Sequence, residues 1–330
     1  MVQIEKITTD TEIAWLAPQW KALWRRVPDA TPFQSPEWLL SWWRCFGTGK
    51  PLILAARKGS ELIGVLPLYF LDERGSRKLL PIGISLSDCL DALVDRSIRG
   101  TVDAMLAAIA EFPGWDECCL PSMPPGAALL TGALPSGLVE SRRQDEECTL
   151  LPLPSSAKGL DDVLPRKMRQ NLRRAERKMA LVGASQFETA DGARIITVMR
   201  DLFRLHEMRW RRCGEPGVCA EPAVQEFHMT AARRLFEAGM LRLYALRLDG
   251  VALAVCYCFQ ANGIAYAYLS GFDPDYAELS PGTQLLAYAI KNAVREGARE
   301  FHFLRGNEAY KTAWRPIPRS TVVRAFRPQC

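Results

Sequence analysis

Arg305, Asn307, Glu308, Tyr310 and Lys311 place five hydrogen-bonding side chains within seven residues, directly after the short apolar run 301–304. A carboxylate, a phenol and two cations at the end of a strand suit proton transfer and anion binding, and open sheets place their sites at such edges. A polar loop closed by a salt bridge would carry the same residues. A second set lies at 195–213, where Ile195, Met199, Leu202, His206, Arg209 and Cys213 recur in steps of four and three. The first three are apolar, so His206 and Arg209 extend a buried helix face. A histidine there also suits a plain core position. A partly buried guanidinium, however, needs an anionic or carbonyl partner, which could be a ligand or an acid such as Glu308. The adjacent cation would lower the histidine pKa and favour its neutral, basic form. Asp273, in the stretch SGFDPDY, is either a competing carboxylate or a turn former before Pro274. In Ser280-Pro281-Gly282, Ser280 can cap a helix that begins at Pro281. Such a terminus exposes N–H groups whose dipole favours phosphate, although the motif can equally do no more than start a helix.

These residues depend on a legible scaffold. Residues 241–248 alternate apolar and polar, Asp249-Gly250 turns the chain into 251–260, and Asn262-Gly263 turns it into 264–272. Asp-Gly and Asn-Gly are strong hairpin signals, so a three-stranded antiparallel meander is predicted. A helix follows, with Leu285, Leu286, Ala289, Ile290 and Ala293 on one face and an end near Gly297. The run 301–304 then makes the order β-β-β-α-β. The first half repeats it less clearly: strands at 51–57, 61–70, 79–84 and 88–94, a helix near 97–112 and a strand at 117–120. The proline-rich 149–156 reads as a linker between the halves. After it come helices at 164–181, from Asp191 as cap to about 212, and at 221–237.

The net charge of +5 is unevenly distributed. Residues 164–178 carry +6, 200–212 carry +3 and 311–330 carry +5, so the rest of the chain is acidic. The basic run Arg166, Lys167, Arg169, Arg173, Arg174, Arg177 and Lys178 is either a solvated helix face or a seat for a polyanion: nucleic acid or a nucleotide-bearing cofactor. No apolar run approaches the roughly 18 to 20 residues of a membrane span, and residues 1–10 lack a secretory apolar stretch, which makes the cytoplasm the expected compartment. The 10 cysteines lack CxxC or His/Cys zinc spacing, so they read as buried hydrophobes and no metal is expected. Trp38, Trp42 and Trp43 at helical spacing read as core, with stacking on a sugar as the alternative.

The stretches PFQSPEWLLSWWRCFG, RKMRQNLRRAERKM, LHEMRWRRCGEPGV, YLSGFDPDYAELSPGTQLL and FHFLRGNEAYKTAW, spread over nearly the whole chain, resemble the GNAT-type acyltransferases described as CelD-like or BioF-like domain proteins of polysaccharide and cellulose biosynthesis. These are relatives of the FemABX aminoacyl transferases. The resemblance implies an α+β fold of two tandem GNAT-like mixed sheets flanked by helices, an N-terminal half over 1–150 and a C-terminal half over 151–330 with the acyl-CoA site. It implies an N-acyltransferase (EC 2.3.1.-) moving an acetyl or other acyl group from acyl-CoA to an amine of a sugar, amino acid or peptide. His206, Tyr310, Asp273 and Glu308 would then be catalytic, with His206 as base and Tyr310 protonating the leaving thiolate. Ser280, Pro281, Gly282, Thr283, Arg169 and Arg173 would hold the donor, and Arg209, Trp210, Arg305, Asn307 and Lys311 the acceptor or phosphate. The stretch 280–283 has one glycine where GNAT phosphate loops are glycine-rich. The alternatives are FemABX-like aminoacyl transfer from tRNA, gripped by the helix at 164–178, and a non-catalytic accessory protein of polysaccharide biosynthesis.

Overall fold

A computed structural model describes residues 1–156, 164–306 and 308–329. They group into two compact units, Met1–Glu147 with Arg319–Cys330, and Cys148–Pro318.

The first unit starts with strand β1 (Gln3–Ile7), helices α1 (Asp10–Arg26) and α2 (Pro36–Phe46), and strands β2 (Pro51–Lys58), β3 (Glu61–Glu73) and β4 (Ser76–Pro81). Thr9 and Glu12 form a capping box at the start of α1, and the Ser35 side chain caps α2. Next come β5 (Leu93–Val94), α3 (Thr101–Ala110), β6 (Glu117–Met123) and β7 (Leu138–Pro152), whose first part belongs here. Strands β1 to β4 pair antiparallel in succession, while β6 lies parallel to β4 through Lys78↔Glu117 and Leu79↔Cys118. Two of the strands expected from sequence differ in extent: one is shifted three residues towards the N-terminus and the other is shorter. The run 79–84 ends at Pro81 because Gly83 and Ser85 take positive φ, and 88–94 pairs only at Leu93 and Val94. Trp38 and Trp42 are buried, and the Trp38 Nε1 donates to Ser87 Oγ at 2.9 Å, so this aromatic segment is core.

The second unit takes the end of β7, then α4 (Arg166–Val182), β8 (Ser185–Thr189), α5 (Ile195–Arg212), α6 (Pro222–Glu237), β9 (Leu241–Leu248), β10 (Val251–Ala261), β11 (Ile264–Phe272), α7 (Pro281–Arg295), β12 (Glu300–Arg305), α8 (Ala309–Thr312) and the start of β13 (Ile317–Pro328). Both hairpins turn where expected: Asp249, Gly250, Asn262 and Gly263 all have positive φ, as the turn geometry demands. The Asp191 carboxylate accepts from the Ala193 and Arg194 amides ahead of α5. The expected linker at 149–156 is a correction: Thr149 to Pro152 finish β7, with Leu150 and Leu151 buried and paired to His302 and Phe301. Two leucines with partners across a ladder outweigh the prolines around them. The order within the unit is β8-β9-β10-β11-β12-β7, antiparallel except for β11 with β12. Alternation divides β10 between two faces. Ala254, Cys256 and Cys258 pack with α7 in one core, whereas Tyr257 meets His228 of α6 on the other face. The second unit is a mixed α/β fold with helices on both faces of a mixed sheet. No described helix is long and apolar enough to cross a membrane.

Candidate active site

The parallel pair β11 and β12 stays in register for three residues only, from Ile264↔Glu300 to Tyr266↔His302, and then separates. The cause is local. Against β10, Cys258 faces Ala267 and Tyr257 faces Leu269, which leaves Tyr268 as an extra, bulged residue. Against β7, the register of β12 also shifts between His302 and Leu304, and Leu304 has φ 60°. Bulges bend and twist a strand, and these two, at the same level, open a wedge. A cavity of about 270 Å³ fills it, floored by Ala267, Leu269, Ser270 and Phe303 and closed by the start of α7.

His206 enters this chamber from α5. The residue is 3% exposed, its ring stacks obliquely on Trp210 at 5.9 Å, and its Nδ1 has no hydrogen-bond partner among the described residues. Burial, and then the Arg209 charge, lower its pKa to about 4, so the imidazole is neutral. Arg209 also lines the chamber, its guanidinium 5.6 Å from the Phe272 ring. Two glycines position the histidine. A Cβ on Gly271 of β11 would stand 2.5 Å from the His206 backbone nitrogen, and one on Gly217 would stand 2.8 Å from its Cε1. Neither glycine was singled out from sequence, although a glycine inside a strand signals a close backbone approach.

On the far side, Tyr310 of α8, Glu308 and Arg305 line the chamber. Burial, reinforced by Glu308, raises the Tyr310 pKa and keeps the phenol protonated. Lys311 lies there too but differs from the expected free cation. It is 3% exposed, and its Nζ donates to the Arg305 and Gly306 carbonyls at 2.6 and 3.1 Å and pairs with Glu308 at 2.9 Å. With its donors occupied, it braces the loop. Asn307 lies outside the described residues.

Ser280, Pro281, Gly282 and Thr283 line the end of the chamber nearest α7. Pro281 begins the helix as expected, but Ser280 does not cap it with its side chain. Its backbone is left-handed (φ 51°, ψ 47°), not the extended form in which a cap side chain reaches the second or third amide. The amides of Gly282 and Thr283, in the first turn, are therefore without intrahelical partners. Asp273 is corrected as well: it is outside the chamber lining, and its carboxylate accepts from the Asp275 amide at 3.0 Å as a turn former. Glu308 is the carboxylate left in the site.

A second cavity of about 380 Å³ shares Ser280, Thr283 and Tyr310 with the first and is walled by α4 through Met168, Asn171, Leu172, Arg174, Ala175 and Lys178. Arg169 and Arg173, expected to hold the donor, lie on the other flank of α4 and line neither cavity. Asn171 lies three residues after the buried Met168 and Lys178 three after the buried Ala175, and Arg174 follows Asn171 by three, so helical spacing puts these polar residues beside the apolar face. Among the described residues no group of His, Cys, Asp or Glu is arranged to hold a metal ion.

Residues 166–312 match a protein family described as an acetyltransferase (GNAT) domain. Among solved structures, the chain is similar to FemX at 13% identity, with a TM-score of 0.68 and 96% of each chain covered. It is similar to the C-terminal domain of a putative lysylphosphatidylglycerol synthetase from Agrobacterium fabrum at 14% identity, with a TM-score of 0.62, 96% of this chain and 92% of that one covered. L-PGS from Bacillus licheniformis follows at 12% identity and a TM-score of 0.55, with 88% and 91% covered. Comparison with curated protein sequences gave no match.

Proposed function

We propose that the protein is an N-acyltransferase that moves an acyl group from an acyl-CoA thioester to an amine of a sugar, amino acid or peptide. The observation that carries this is the wedge between β11 and β12, which ends at the N-terminus of α7 and has a desolvated, neutral histidine on one wall and a protonated tyrosine on the other. A thioester arm is narrow and mostly apolar and suits the wedge, while its pyrophosphate suits the Gly282 and Thr283 amides.

The roles follow from the chemistry. His206 takes the proton that the amine loses as it attacks. Beyond Tyr266 the β12-facing edge of β11 no longer pairs with β12, and its amides can donate to the oxyanion of the tetrahedral intermediate. Tyr310 protonates the departing thiolate. Arg209 and Arg305 hold an anionic part of donor or acceptor, and Trp210 packs the acceptor against His206. Glu308 keeps Lys311 and the loop after β12 in place. The tandem arrangement, a GNAT-like half over 1–150 and another over 151–330, belongs to the same proposal. Its support is the repeated order in which three antiparallel strands lead through a helix to a parallel strand, β4 with β6 and β11 with β12.

A second reading, aminoacyl transfer from tRNA, is favoured by the cation-rich helix α4. A thermal-shift panel of CoA thioesters, followed by free-thiol release with candidate amines, separates the two. If no thioester raises the melting temperature and none is consumed, the acyl-CoA reading fails, and strong salt-dependent tRNA binding would replace it.

A further inference from the structure

Helix α4 breaks the rules that stabilise helices. Its first turn carries Arg166 and Lys167 with no acidic residue, opposing the helix dipole, and Pro165 before it provides no side-chain cap. Arg169, Arg173 and Arg177 follow at steps of four, as do Arg174 and Lys178, and like charges at that spacing repel. None of the seven cations has an ion pair among the described residues, and the Arg169 Nε is buried without a partner. A sequence that departs from local rules without compensation marks a functional surface. The groove walled by α4 shows where an anion would compensate. Asn171, Arg174 and Lys178 face it from the helix, and Ser280, Thr283 and Tyr310 close it where it meets the chamber.

We propose that this groove seats the phosphate groups at the nucleotide end of the donor, with Arg174 and Lys178 as their charged partners and Asn171 as a hydrogen-bonding one. The inference rests on the acyl-CoA reading and adds to it. The α7 terminus offers two free amides, and Arg209 and Arg305 line the chamber but not the groove, which is little for a donor that carries several phosphate charges. The groove continues from that terminus and supplies two cations on one side. At about 380 Å³ it admits a phosphorylated nucleoside. Arg166, Arg169, Arg173 and Arg177 lie on the opposite flank and raise the local potential without touching the phosphates.

The test measures binding of acetyl-CoA and of S-acetyl pantetheine, which lacks the nucleotide, by calorimetry. It compares the intact chain with Arg174→Ala/Lys178→Ala and with Arg166→Ala/Arg177→Ala, which removes the same charge from the other flank. The expected result is acetyl-CoA binding about ten- to a hundredfold weaker in the first variant, less than threefold weaker in the second, and pantetheine binding equal in all three. Equal losses in both variants, or an equal loss for pantetheine, overturn the inference while the donor reading stands. Unchanged acetyl-CoA binding alongside weakened binding of a short RNA assigns the groove to RNA and also overturns it. Failure of the intact chain to bind any CoA thioester removes both.

Discussion

Gly271 and His206 are in backbone contact across the β11–α5 interface: a Cβ at Gly271 would lie 2.5 Å from the His206 nitrogen and 2.8 Å from the Leu205 carbonyl carbon. The helix rests on the strand with nothing between them, and this sets the depth of the imidazole in the chamber. Gly271→Ala must therefore push α5 outward. The expected cost is about 1 to 3 kcal/mol of stability, read as a lower urea midpoint, with turnover falling at least about tenfold because a displaced catalytic group loses far more rate than stability. Wild-type turnover in Gly271→Ala would show that the depth of His206 is unimportant.

The neutral state of His206 has a signature in pH. Its pKa is lowered to about 4, and that of the fully buried His228 beside it to about 3, both chiefly by burial. In the unfolded chain both titrate near 6.5. Below pH 6.5 the unfolded chain thus binds protons that the folded one does not, and stability falls as pH drops from about 6.5 towards 4 and then 3. Melting temperatures across that range should decline more gently in His206→Gln. The rate should show no inflection near 6.5 that depends on His206. Such an inflection, if it vanished in His206→Gln, would mean that the imidazole is solvated.

Lys311 separates a brace from a ligand contact. Its ammonium holds the Arg305 and Gly306 carbonyls and Glu308 from a buried position. Lys311→Met removes these hydrogen bonds and leaves the Glu308 carboxylate without its cation, and a loss of about 1 to 3 kcal/mol is expected. Denaturant unfolding should show a lower midpoint at unchanged slope. A stable Lys311→Met protein with a raised KM alone would return this residue to substrate binding.

The regular parts of this fold were legible because each rested on a local signal. Asp249-Gly250 and Asn262-Gly263 require turn geometry that few other pairs adopt, and they placed β9, β10 and β11 within a residue or two. The apolar stripe from Leu285 to Ala293 likewise gave α7. Local pattern failed where the partner was distant. Nothing near Leu150 announces that it pairs with His302, so the end of β7 read as a linker. The site divided in the same way. His206, Arg209, Tyr310 and 280–283 share one chamber, but the wedge arises from bulges at Tyr268 and around Phe303 that no residue type encodes. Asp273 and Lys311 have the right chemistry, yet their hydrogen bonds were invisible in sequence.

Tyr310→Phe removes one oxygen from the chamber wall and little else. If the phenol protonates the leaving thiolate, kcat should fall about 10²- to 10⁴-fold with KM nearly unchanged. The loss should shrink for thioesters of acidic thiols, whose thiolates leave without a proton. A uniform loss over a series of leaving thiols would point to packing instead.

Gly282 tests the phosphate seat. A Cβ there would lie 3.5 Å from the Phe272 ring, an ordinary contact, so Gly282→Ala should fold as well as wild type or better, since alanine favours a helix. Larger side chains must instead grow into the chamber at the two free amides. Gly282→Leu should therefore weaken acyl-CoA binding by tenfold or more, at a melting temperature within a few degrees of Gly282→Ala, because the added atoms enter open space and not core. The comparison with alanine isolates access to the amides from helix propensity. Equal donor affinity in Gly282→Ala and Gly282→Leu, measured by calorimetry, would place the pyrophosphate away from the start of α7 while leaving the wedge, His206 and Tyr310 as a site for acyl transfer.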